Sequence, residues 1–166
     1  VALLGALLHL FMDGLNSYGV HPYWPFDNGW VYGDSVFIIE PLFWLSALPL
    51  LFTAKTWWAR IVLAIAGVAA IGIGAWLNRE LPLWVAGIVL LTAALLLLGK
   101  RSSPRGAALV SVTAMVAITV TFFSAGRFTE QRAESLAASA FPGEESLDQV
   151  LTPLPTNPLC WDVLWI

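Results

Sequence analysis

The sequence predicts an all-α fold: a polytopic transmembrane helix bundle of about five spans, the first truncated, followed by a partial extracytoplasmic tail. Three observations carry that expectation. Hydrophobic residues make up 58% of the chain and charged residues only 11%, an apolar excess that calls for lipid as solvent. The apolar residues run in long unbroken stretches, without the one-faced or alternating patterns of a water-soluble domain. The few charges collect in the short breaks between those stretches.

Taken in order, the expected spans are residues 1–15, 35–54, 57–77, 81–98 and 107–123. Most approach the roughly 20 residues that cross a bilayer. The chain opens at Val1 inside an apolar run with no basic segment or small-residue cleavage site, so this run is read as the remainder of a membrane helix, not a signal peptide. The third span is rich in Ala and Gly, which lets helices approach closely, and the fourth carries four consecutive leucines and is expected to face lipid. Residues 1–124 thus form the bundle with an outward loop at 16–34. Residues 125–158 read as an extracytoplasmic helix and a Pro-rich linker, and residues 159–166 as the start of a truncated soluble domain. The lone Cys160 makes no internal disulfide and is read as a small packed hydrophobe.

Orientation follows from the positive charges in short loops. Lys55 and Arg60 lie after the second span, and Lys100, Arg101 and Arg105 after the fourth, which puts these two loops on the cytoplasmic side. The acidic loop 16–34 and the tail then face outward, into the periplasm of a bacterial inner membrane. The bases are few and explained by topology, so nothing points to nucleic acid; the expected partner is the lipid bilayer, and the oligomeric state is left open.

Ionisable groups within membrane spans are costly, so His9, Asp13 and Glu40 require an explanation. At about 100° per residue, His9, Asp13 and Asn16 fall within a sector of roughly 60° on one helix face. An imidazole and a carboxylate one turn apart can grip one divalent metal ion, zinc or manganese, and a metal that activates water needs such ligands plus an open position. Further ligands would come from His21, Asp27, Asp34 or Glu40, or from helix residues before Val1. A buried pair that ties two helices together is the competing reading of His9 and Asp13.

The loop between the first two spans has a specified shape. Gly19 and Gly29 permit left-handed backbone angles, and Pro22 and Pro25 stiffen the path between them. Its rings, Tyr18, Tyr23, Trp24, Phe26, Trp30 and Tyr32, suit either the headgroup level of a bilayer or a lid over substrate. Asp34 before Ser35 suits a helix N-cap as well as a catalytic role. Glu40 before Pro41 marks a helix start or kink, and its carboxylate is read as a ligand, a general base or a cap that complements the helix dipole.

The residues His9, Asp13, Asn16, Tyr18, Gly19, Pro25, Phe26, Asp34, Glu40 and Pro41 together resemble the bacterial membrane-bound, predicted metal-dependent hydrolases of the YdjM and YbcI type. The later spans and a tail with Asn157, Pro158 and Trp161 also look like the family's longer members, so the likeness is expected over nearly the whole chain. It implies a metal held by His9 and Asp13, catalytic roles for Asp34 and Glu40, and a substrate entrance shaped by Asn16, Tyr18, Gly19, Pro25 and Phe26. Family members carry an earlier His-rich segment, which this sequence is expected to begin after, and usually have Asp where Glu40 stands.

The expected function is a membrane-bound metal-dependent hydrolase acting on a lipid or envelope ester. The alternatives are a non-enzymatic membrane scaffold or sensor and a small transporter. Against the transporter, the third to fifth spans offer only hydroxyls such as Ser111, Thr113 and Thr119 to continue a polar path.

Overall fold

The computed structural model describes residues 2–37, 39–142 and 149–165. Among them are five α-helices: α1 (Ala2–Asp13), α2 (Pro41–Ser46), α3 (Trp57–Leu77), α4 (Pro82–Arg101) and α5 (Pro104–Ala140). A 3-10 helix at Leu48–Phe52 follows α2, and the strands β1 (Gln149–Leu154) and β2 (Asn157–Trp165) pair into a two-stranded sheet. The fold is therefore mostly helical, as expected, but the tail adds a β-hairpin to it. Residues 143–148 of the expected linker lie outside the described residues.

The chain divides into two compact units, a helical unit of Glu40–Val120 with Pro155–Asn157, and a second unit of Val1–Ile39, Thr121–Leu154 and Pro158–Ile166.

In the helical unit, α3 and α4 are long and apolar enough to cross a membrane, and so is α5, which begins there. Proline sits in the first turn of α2, α4 and α5, where its missing N–H costs nothing and its fixed φ suits a helix start. Lys100 and Arg101 close α4, where cations favour the helix dipole.

The expected span at 35–54 is built differently, as α2 and the 3-10 helix in succession. Pro49 has no N–H to give to the carbonyl four residues back, so α geometry stops at Ser46. This broken segment forms the core of the unit: Leu42, Leu45, Leu48 and Pro49 are buried, while most of α3 and α4 is exposed. Two glycines bring the neighbours close. A Cβ on Gly67 would stand 2.7 Å from Leu48 Cδ2, and one on Gly99 would stand 2.5 Å from Pro49 Cα.

α5 runs for 37 residues, about 55 Å at the usual rise, well beyond a hydrocarbon core of roughly 30 Å. The charged stretch expected to be a separate helix therefore continues the last apolar one without a break. Its exposed face carries an Arg127–Glu130 ion pair at 2.6 Å.

In the second unit, α1 is only 12 residues long. The loop after it folds on itself: Val20 and Val31 exchange two backbone hydrogen bonds of 2.9 Å, and the N–H groups of Ser35 and Val36 donate to Leu15 O at 2.9 and 3.0 Å. The ring of Trp161 in β2 lies against Gly126 of α5, where an added Cβ would stand 3.0 Å from Cη2.

Candidate functional site

The structure places the sequence-predicted residues in two groups, one in each unit. His9 and Asp13 lie one turn apart on α1, with Nε2 and Oδ2 3.3 Å apart and the side chains 78% and 42% exposed. They pair with each other, as the i,i+4 spacing requires.

Asn16 does not continue their helix face, because α1 ends at Asp13 before Gly14. It is buried instead, and its Oδ1 accepts from Tyr18 N–H at 2.8 Å, which turns the chain into the loop. Gly19 takes the left-handed angle the sequence anticipates, φ 73, against the Tyr32 ring. Gly29 does not; its N–H instead caps Asp27 Oδ1 at 2.9 Å. Tyr18, Pro25 and Phe26 are exposed. Asp34 has φ 45 and caps no helix, since the next one begins at Pro41.

Glu40 belongs to the helical unit and is 2% exposed. It is the N-cap of α2, its Oε1 accepting from Leu42 N–H at 3.0 Å. Both of its oxygens also accept from Thr156 N–H, each at 3.1 Å. Burial lifts this carboxyl from the ordinary 4.5 to about 7, against the pull of the Leu42 and Thr156 N–H groups, which favour the ionised form. Glu40 lies outside the three membrane-length helices.

Thr156 is held at every polar atom. Its hydroxyl Oγ1 accepts from Asn78 Nδ2 at 2.9 Å, its carbonyl accepts from Trp84 Nε1 at 2.9 Å, and its N–H goes to Glu40. Asn78, the C-cap of α3, also donates to Gly74 O at 2.9 Å and accepts from Asn157 Nδ2 at 2.8 Å. The turn needs this support. Pro155 followed by a positive-φ residue is the order of a type II turn, yet the residue at φ 66 is Thr, not Gly. A β-branched residue there is strained by about 1–3 kcal/mol, a cost that persists only where surrounding contacts over-determine the geometry.

Asn78, Trp84 and Thr156 were not singled out by the sequence. The available signals were a polar residue closing an apolar span and a Pro-Thr-Asn turn in the tail, and neither says that they meet.

A tetrahedral metal site with ligand distances of about 2.0–2.1 Å puts its donor atoms roughly 3.3–3.4 Å apart. The His9–Asp13 pair has that spacing and the right donor types. It supplies only two donors. Among the described residues no group of three or more His, Cys, Asp or Glu side chains is placed to hold a metal ion. The pair fits part of a metal site and does not complete one.

A family model described as YdjM inner membrane protein matches this chain at its N-terminal end. The match spans residues 1–81. The matched segment holds α1, the folded loop, α2, the 3-10 helix and α3 with Asn78. The match ends before Trp84, Thr156 and Asn157, so the expected likeness over nearly the whole chain is shown only to residue 81. Neither a curated protein nor a solved structure matches the chain. Together with the three membrane-length helices, the match supports a membrane location.

Proposed function

We propose that this YdjM-type protein is a hydrolase of the bacterial inner membrane whose His9 and Asp13 contribute two ligands to a divalent cation, zinc or manganese. The observation that carries the reading is the 3.3 Å spacing of His9 Nε2 and Asp13 Oδ2, a bite suited to one metal, on side chains open to an incoming ion. When bound, such a cation polarises a carbonyl or phosphoryl oxygen and makes water a nucleophile near neutral pH. The chain's own share is to present His9 Nε2 and Asp13 Oδ2 side by side, with Asn16 and the Val20–Val31 pairing fixing the loop after them. The remaining ligands come from outside this pair, with Asp34 the candidate for base or ligand in the same unit.

Glu40 has a carboxyl lifted to about 7, a range that suits proton transfer. Its burial and its N–H donors support in addition a role in positioning the Pro155–Asn157 turn.

Lys55 and Arg60 at the start of α3 and Lys100, Arg101 and Arg105 between α4 and α5 favour the cytoplasm for that end of the helical unit. The Asn78 end, and the tail beyond α5, then face the periplasm. A lipid or envelope ester is the substrate class such a site would meet.

The test is hydrolysis of chromogenic carboxylic and phosphoric esters by the full-length protein in detergent, with zinc or manganese added. The reading expects metal-dependent turnover that His9→Ala and Asp13→Ala each lower by at least about 100-fold, as loss of a ligand would. Turnover indifferent to both substitutions contradicts it.

A second reading, a non-enzymatic scaffold, is favoured by one observation: the best-satisfied polar cluster, Glu40 with Thr156 and Asn78, is spent on holding the chain together. It expects His9→Ala to change stability alone.

A further inference from the structure

Residues 18–32 form a closed loop whose rings are turned out. The Val20–Val31 pairing closes the loop, the N–H groups of Phe26 and Asp27 donate to Tyr23 O at 2.9 and 3.0 Å, and Asp27 Oδ1 takes Gly29 N–H. Phe26 is 97% exposed, Trp24 70% and Tyr23 64%, while Tyr18, Trp30 and Tyr32 are each more than half exposed. Tyr and Trp concentrate where hydrocarbon meets headgroups, a layer that still holds water for the loop's remaining N–H and C=O groups.

The charge pattern narrows the partner. No Lys or Arg precedes Lys55, and Asp27 and Asp34 are the charged groups of residues 16–34. Attraction to anionic headgroups therefore plays no part, and ring insertion is what remains. The helix leading into the loop continues the apolar surface, with Leu7, Leu8, Leu10 and Phe11 exposed on α1.

We propose that residues 18–32 dock into the headgroup layer of the bilayer as a ring-bearing wedge, with Trp24 and Phe26 deepest. The wedge holds the segment after Asp13 at the membrane surface, and it acts whether or not the protein binds a metal. The rival use of the same rings, a lid standing in water over a substrate, gives the opposite result in the test.

The test places an environment-sensitive fluorophore at Phe26→Cys in a Cys160→Ser background of the full-length protein, reconstituted in phosphatidylcholine vesicles. The same label at Ser139→Cys, on the exposed face of α5, is the aqueous reference. Docking predicts that lipids spin-labelled near the headgroup quench position 26 more than lipids labelled deep in the chain. It also predicts protection from aqueous iodide of at least about threefold over position 139, as a headgroup location requires. The label at Tyr23→Cys, expected to follow the same pattern, guards against disturbance of the loop at position 26. Replacing part of the lipid with phosphatidylglycerol leaves the quenching unchanged. Full iodide access at both loop positions without lipid quenching overturns the proposal, and so does docking that appears only with anionic lipid.

Discussion

The carboxylate of Glu40 holds the backbone N–H of Thr156 with both oxygens at 3.1 Å, across 116 positions of sequence. One residue caps a helix and the other is a strained turn tip, so each supplies what the other lacks: a donor for a buried charge, and a constraint for an unfavourable φ.

Truncating the carboxylate separates these roles. Glu40→Ala leaves Thr156 N–H and Leu42 N–H without their acceptor, each costing about 1–3 kcal/mol when buried. A marked fall in thermal midpoint in detergent is expected, whereas Glu40→Gln keeps one carbonyl acceptor and loses less. Equal midpoints for wild type and Glu40→Ala would show that the contact does not hold the fold.

The same group makes stability depend on pH. Its folded pKa, about 7, lies above the ordinary 4.5, so the folded state binds a proton more readily between these values. Its contribution is therefore most favourable below about pH 4.5 and is lost as pH rises through about 7, an effect of roughly 3 kcal/mol at most. Chemical denaturation across this window should show a component favouring acid that disappears in Glu40→Gln. Identical pH profiles for the two proteins would contradict it.

Strain and hydrogen bonding oppose each other at Thr156. Thr156→Ala keeps the positive φ and loses the bond to Asn78, so a loss of about 1 kcal/mol is expected. Thr156→Gly loses the same bond but relieves the backbone, and is expected to be closer to wild type. Asn78→Ala removes the contacts that Thr156 Oγ1 and Asn157 Nδ2 make with it, and its cost should be less than additive with Thr156→Ala in a double-mutant cycle.

Two glycines test the packing of the broken segment. Gly99→Ala drives a methyl toward Pro49 backbone, which has no flexible end to yield, and should destabilise by about 1–3 kcal/mol. Gly72→Ala meets nothing within 4 Å and should be neutral or stabilising by up to about 1 kcal/mol through helix propensity.

The long-range contacts explain what the sequence concealed. α3 was legible at both ends because an unbroken apolar run of bilayer length has one solution, and the α1 pair was legible because i,i+4 geometry is local. Pro49 hid the breaking of the second apolar run, since the hydropathy of 35–54 is the same whether the backbone is one helix or two pieces. Asn16 was misplaced because α1 ends at Asp13, two residues before the apolar run does. The tail's Thr156 gave no sign of its partners because pairing between distant segments depends on packing, which leaves no periodicity in a single chain.

Metal content tests the functional reading most directly. Full-length protein purified in detergent, loaded with zinc or manganese and freed of excess, should retain close to a whole number of ions per chain by elemental analysis, with Asp13→Ala and His9→Ala each retaining far less at an unchanged thermal midpoint without metal. Retention that is absent in the wild type, or that survives both substitutions, would contradict the assignment of this pair as ligands.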